Sequence, residues 1–263
     1  MERKDVRLLW QAVEYWAERT PDREALAFGS RRMTWRELNT AVNHTAKAFL
    51  EAGVERGERI ALMAMARVEF IVIFMAASKI GAVWMGLSPK FSRDELRYLI
   101  GHSQPAVLIA LDEYMGTDLV EMGLSFQNEF PAIRRFLSIG GNDRGVPEFS
   151  EYIAPLRPEW DAALDARAGQ VHPDDDVLLM YTSGSTGKPK GVLHTHRAVI
   201  NNISVEVEHF GFDDTARCLL HFPINHVAAD VELAYGALYA GAVLILLDRF
   251  DPAVSLEIIE RER

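Results

Sequence analysis

The stretch Asp176-Val-Leu-Leu-Met-Tyr-Thr-Ser-Gly-Ser-Thr-Gly-Lys-Pro-Lys-Gly-Val-Leu-His-Thr195 decides the fold. Its first six residues form a short apolar run of the kind that makes a buried strand. Thr182-Ser-Gly-Ser-Thr-Gly-Lys-Pro-Lys190 then gathers glycines, consecutive hydroxyls and two lysines. Glycine lets a backbone approach a ligand closely, hydroxyls donate hydrogen bonds, and lysine neutralises phosphate charge. Pro189 biases the residue before it away from helical dihedrals, so the loop does not run straight into a helix. Gly191 to Thr195 is again extended, which predicts a strand–loop–strand hairpin able to fold over a ligand. A flexible Ser/Gly linker would lack these apolar flanks. The spacing also excludes a Walker A loop, which needs four residues between its glycines and a hydroxyl after its lysine. Here two residues separate Gly184 from Gly187, and Lys188 is followed by Pro189.

Outward from the hairpin, amphipathic helical patterns alternate with short apolar runs. Residues 34–52 form a helix, with Thr34 and Glu37 as a capping box, Leu38, Val42 and Phe49 on one face, and Gly53 at its end. Residues 59–65 read as a buried strand, 68–80 as a helix and 82–87 as the next strand. Ser92 and Glu95 cap a helix to about residue 102, and 106–111 is another strand. This βαβ rhythm implies an α/β fold with largely parallel sheets flanked by helices. Residues 112–170 are less regular and rich in Pro and Gly, which places a subdomain change there. After the hairpin come a helix over 196–210, a strand over 217–221, a helix over 226–239 and a strand over 241–247. Asp251-Pro252 then opens a last helix with a cap and a first-turn proline.

The composition is that of a globular protein: of 263 residues, 49% are hydrophobic and 25% charged. A net charge of −10 argues against a nucleic-acid partner, because phosphate backbones reward a basic face. The longest apolar runs, 70–77 and 236–247, fall short of a membrane span, and the first ten residues lack a signal-peptide core. Cys218 is the sole cysteine, so no disulfide forms within the chain, which fits the cytoplasm. His194 and His196 share a strand face, but no carboxylate or thiol stands at ligand spacing, so neither is assigned to a metal and both are structural. Asp174-Asp-Asp176 reads as a solvated turn.

The segment from Tyr181 to Val192 closely resembles the signature loop of the AMP-binding, adenylate-forming superfamily, which includes acyl-CoA synthetases. Met33-Thr-Trp-Arg-Glu-Leu38, Lys79-Ile-Gly-Ala-Val83, Leu87-Ser-Pro89, Phe222-Pro-Ile-Asn-His226, Ala240-Gly-Ala242 and Arg249-Phe-Asp-Pro252 resemble its other segments in order. The resemblance implies part of the N-terminal domain of an acyl-CoA synthetase-like fold. Residues 1–170 would be a first α/β subdomain and 171–263 a truncated phosphate-loop subdomain, with the C-terminal lid domain absent. It implies an AMP-forming acid–thiol ligase: ATP, with Mg2+, activates a carboxylic acid as its adenylate, and coenzyme A takes the acyl group. Thr182, Ser183, Gly184, Ser185, Thr186 and Gly187 would wrap the phosphates, and Lys190 would pair with them. Lys188 would face solvent. His226 would line the acyl pocket beside the reacting carboxylate; the residues alone favour a helix-start histidine bonded to backbone, and the Pro-x-x-His context of the resemblance tips the reading to the pocket. Asn225 and Ala229 depart from the family pattern. Asp230 and Glu232 would either hold an amine-bearing or polar acid or face solvent. The segments expected to hold adenine, ribose and Mg2+ do not occur in these 263 residues, so the chain alone is expected to turn over negligibly. The alternatives are a non-enzymatic nucleotide-binding or interaction protein built on the truncated fold, and a peptide-synthetase-type adenylation domain. A homo-oligomer is compatible with any of these.

Overall fold

Apolar runs bounded by Gly and Pro become strands, and the capped amphipathic stretches between them become helices, in the computed structural model of the chain, which describes residues 5–182 and 188–262. In chain order the first elements are α1 (Gln11–Arg19), β1 (Glu24–Phe28), β2 (Arg31–Thr34), α2 (Trp35–Glu51), β3 (Arg59–Met63), α3 (Val68–Lys79), β4 (Val83–Leu87) and α4 (Arg93–Ser103). Next come β5 (Val107–Leu111), the short hairpin β6 (Glu113–Tyr114) and β7 (Thr117–Asp118), α5 (Leu119–Glu129), β8 (Arg135–Ile139), α6 (Phe149–Ile153) and α7 (Asp161–Ala168). The last third holds β9 (Asp176–Thr182), β10 (Lys190–Thr195), α8 (His196–Phe210), β11 (Arg217–Leu220), a π-helical stretch (Ala228–Tyr235), α9 (Gly236–Ala240), β12 (Val243–Leu246) and α10 (Pro252–Glu262).

Two main sheets result. The larger has the order β10-β9-β4-β3-β5-β8, parallel throughout except for β10, which returns antiparallel along β9. The smaller has the order β11-β12-β1-β2, with β2 antiparallel. Each sheet draws strands from both sides of residue 170, so the two stretches of chain are interleaved rather than laid side by side. Every residue of β5 is buried, as strands covered on both faces require. α3 is likewise buried almost all round: Phe70, Ile71, Ile73, Phe74 and Met75 lose all exposure. Side chains of this size contribute about 1.5–3 kcal/mol each on full burial.

Both capping boxes form as expected. Thr34 Oγ1 accepts from Glu37 N (3.3 Å) while Glu37 Oε2 accepts from Thr34 N (2.7 Å), and Ser92 and Glu95 repeat the pattern. Asp251 caps α10, its Oδ1 accepting from Ala253 N and Val254 N. The αL joint between α9 and β12 is Gly241, with φ +82°; a side chain there would overlap the Trp16 indole. The single helix expected over 226–239 is instead a π-helical stretch followed by the short α9. The acidic run 174–176 does more than border solvent: Asp174 pairs with Arg197 at 2.5 Å and Asp175 with Arg56 at 2.7 Å.

His196 is structural. It is fully buried, and its Nδ1 accepts a hydrogen bond from Leu9 N at 3.1 Å, tying the N-terminal arm to the start of α8. Burial lowers its pKa to about 4, so the folded chain holds it neutral. The unfolded chain binds this proton more readily, so the group's contribution to stability is complete above the ordinary histidine pKa and is lost as pH falls below it. A loss of about 2 kcal/mol from this group is expected between about pH 7 and pH 5. Urea unfolding at the two pH values checks it. His196→Asn keeps an acceptor for Leu9 N and is expected to flatten the pH slope.

Candidate functional site

The β9–β10 ladder sets the mouth of the glycine-rich loop. Thr182 stands opposite Lys190 and Tyr181 opposite Gly191, so a hydroxyl and an ammonium face each other across the two ends of the loop. Both Thr182 and Lys190 are exposed, and among the described residues the Lys190 ammonium has no hydrogen-bond or ion-pair partner. Lys188 is exposed as expected, its Nζ 6.0 Å from the centre of the Tyr98 ring. The expected phosphate ligands Ser183, Gly184, Ser185, Thr186 and Gly187 lie outside the described residues.

The loop leaves β9 at its carboxyl end, next to the carboxyl end of the parallel neighbour β4. Crevices at the carboxyl ends of parallel strands are where open α/β sheets bind ligands. The two ends of the loop are tied to α4. Tyr98 Oη donates to the Pro189 carbonyl at 3.0 Å, and Tyr181 Oη lies 2.7 Å from His102 Nδ1. Burial pushes the Tyr181 phenol up to about 12, so the hydroxyl keeps its proton, and the tautomer of His102 sets which of the two groups donates.

The segment carrying His226 is seated on the same strand β4. Gly86 packs so closely against it that a Cβ would lie 2.6 Å from the Ile224 carbonyl carbon and closer still to its oxygen. Two residues earlier, on the same strand face, Trp84 Nε1 donates to Asp230 Oδ2 at 3.3 Å. These two contacts bring the connection from β11 of the smaller sheet onto the carboxyl-terminal half of β4. His226 itself is exposed at the start of the π-helical stretch. Its backbone N–H donates to Pro223 O at 3.2 Å, and its carbonyl accepts from Ala229 N and Asp230 N. Its ring Nδ1 is 3.5 Å from Ala228 N, the outer limit of a hydrogen bond, which leaves the imidazole available to a ligand. Among the described residues no hydrogen bond or ion pair joins His226 to the β9–β10 hairpin; both border β4 instead.

The acidic pair divides. Glu232 is exposed, whereas Asp230 is fully buried, with Oδ1 unpartnered among the described residues. Burial pushes the Asp230 carboxyl well above the usual carboxylate range by penalising its charged form, and the Trp84 hydrogen bond only partly offsets this. Among the described residues no group of three or more His, Cys, Asp and Glu side chains could hold a metal ion. Nor is any helix there long and apolar enough to cross a membrane.

Sequence reasoning did not single out Gly86, Trp84, Tyr98 or His102. For Gly86 a signal existed, because a glycine inside an apolar strand pattern marks a close backbone approach. For Trp84, Tyr98 and His102 the partners are distant in sequence, and no local pattern announces them.

A profile described as AMP-binding enzyme matches residues 13–263, nearly the whole chain. The chain belongs to the AMP-binding enzyme family. Among relatives, 4-coumarate–CoA ligase 2 of Oryza sativa subsp. japonica is 31% identical over 263 residues, covering 94% of this chain and 45% of that protein. The crystal structure of the N-terminal domain of FACL13 from Mycobacterium tuberculosis superposes with a TM-score of 0.80 at 23% identity, covering 97% of this chain and 61% of that one. The anthranilate CoA ligase AuaEII, crystallised in complex with anthranoyl-AMP, shares the fold with a TM-score of 0.83 at 23% identity, over 98% of this chain and 49% of its own. This chain of the AMP-binding family therefore has the N-terminal-domain fold of acyl-CoA ligases. It spans about half the length of the curated acyl-CoA synthetase and CoA ligase relatives it matches.

Proposed function

We propose that the protein to which this chain contributes activates a carboxylic acid with ATP and passes the acyl group to coenzyme A. The observation that carries this reading is the placement of two dissimilar groups around one strand end. The hairpin presents Thr182 and Lys190 beside the carboxyl end of β4, and Gly86 and Trp84 of β4 seat the segment that exposes His226. A carboxylate oxygen attacks the α-phosphorus, the bond to the β-phosphate breaks and pyrophosphate leaves. The coenzyme A thiolate then attacks the acyl carbon and AMP leaves. Such chemistry asks for positioning and charge stabilisation rather than a protein nucleophile. Thr182 and Lys190, with residues 183–187 between them, would hold the β- and γ-phosphates, and Mg2+ would accompany the triphosphate and neutralise part of its charge. His226 would border the reacting carboxylate. The division at residue 170 would mark where the phosphate-binding half of the site begins. A cytoplasmic location accords with the free, buried thiol of Cys218.

An amino-acid-activating adenylation domain is the less favoured reading. Holding an α-ammonium group takes a carboxylate that reaches the ligand, and Asp230 is fully buried against Trp84 while Glu232 is exposed. The test is a panel of carboxylic acids given to protein expressed from the complete reading frame, with ATP, Mg2+ and coenzyme A, following AMP release. At least one aromatic or aliphatic acid is expected to give coenzyme A-dependent AMP. If none does, the ligase reading fails.

A further inference from the structure

The flanks of the phosphate loop are held from a single helix. Tyr98 and His102 stand four residues apart on α4, so they share a face, and their rings lie nearly parallel with centroids 5.9 Å apart. Tyr98 reaches Pro189 after the loop, and His102 reaches Tyr181 before it. The His102 and Tyr181 rings also meet edge to face at 5.7 Å. Lys188 lies over the Tyr98 ring. The helix itself does not depend on these contacts, since it has its own capping box and buries Leu96, Leu99 and Ile100 in the core. The pair thus adds constraint to the hairpin rather than to α4.

We infer that Tyr98 and His102 are positioning residues for the phosphate loop, bracing Pro189 and Tyr181 so that Thr182 and Lys190 meet phosphate already oriented. This inference rests on the phosphate role proposed for the hairpin. Its physical content is pre-organisation: loop ends that are fixed before the ligand arrives lose less conformational freedom on binding. The brace works through Thr182 and Lys190, and Tyr98 and His102 need not touch the nucleotide.

Hydrogen–deuterium exchange on the ligand-free 263-residue chain tests it. Tyr98→Phe removes one hydroxyl and keeps the ring; loss of that hydrogen bond is expected to speed exchange of the amides at residues 190–193 roughly three- to tenfold. Exchange in β3 and β5 is expected to stay unchanged. Trypsin reports the same change at the Lys190–Gly191 bond, because the Lys188–Pro189 bond resists the enzyme. His102→Asn is expected to restore the slow exchange that His102→Ala loses at Tyr181 and Thr182, since the side-chain amide can either donate to or accept from Tyr181 Oη. Affinity for sodium tripolyphosphate should fall in Tyr98→Phe and His102→Ala and recover in His102→Asn. If Tyr98→Phe loosens the whole chain, the exposed His102 pair of variants decides. Exchange within twofold of wild type in His102→Ala, or no recovery in His102→Asn, overturns the brace. If wild-type protein shows no tripolyphosphate binding but the exchange effects appear, the brace stands as a hairpin support and the phosphate role fails instead.

Discussion

Replacing Gly86 with valine is expected to be among the most damaging single changes in the chain. Any Cβ at this position meets the Ile224 carbonyl, and the obstructing atoms are backbone, which cannot swing aside as a flexible side chain would. Relief requires moving either β4, which is paired on both sides, or the segment that carries His226. A cost of about 3 kcal/mol or more is expected, at the upper end for overpacking. Gly86→Ala should already show part of it. Gly141→Ala is the control: a Cβ there meets nothing within 4 Å, and a change within about 0.5 kcal/mol is expected. Urea unfolding measures both. In the proposed ligase the same substitution displaces His226, so acid-dependent activity should fall further than stability alone explains.

The second large effect concerns Lys190. Removing its ammonium takes away charge-assisted hydrogen bonds to phosphate, each worth about 1.5–3 kcal/mol, so Lys190→Ala is expected to weaken tripolyphosphate and ATP binding about 10- to 100-fold. The Lys190 side chain is exposed and unpartnered among the described residues, so stability should change little. That separates a lost ligand contact from a lost fold. Lys188→Ala removes a charge two residues away that lies over the Tyr98 ring instead, and about a twofold effect or less is expected of an exposed charge that does not touch the ligand. Calorimetric titration at two salt concentrations checks the pair, with the wild-type affinity falling more steeply with salt than that of Lys190→Ala.

The hairpin was legible because its signals are local. Glycines, Pro189 and two apolar flanks lie within twenty residues, and the strands β9 and β10 and the helix α8 follow as expected. The capping boxes at Thr34 and Ser92 were legible for the same reason. What escaped depends on long-range pairing. β1 joins β12 through partners such as Leu26 and Leu244, which interleaves the ends of the chain in a way no local period discloses. β8 lay in the Pro- and Gly-rich stretch, where a five-residue run carries little periodic signal. Asp230 and Glu232 read alike as acids, yet burial separates them completely, because a helical segment turns residues two apart toward different faces. The brace from α4 was invisible for a similar reason: Tyr98 and His102 look like ordinary outer-face residues until the fold brings Pro189 and Tyr181 to them.

In the proposed ligase this chain supplies the triphosphate-holding and acyl-side parts of an enzyme that adenylates a carboxylic acid. Acid-dependent exchange of labelled pyrophosphate into ATP tests it most directly, because the exchange reports adenylate formation without requiring the acceptor. With protein from the complete reading frame and the acid selected by the panel, exchange should depend on that acid, and Lys190→Ala should reduce it at least about tenfold. Exchange that is absent with every acid, or that survives Lys190→Ala unchanged, would rule out that role for the hairpin.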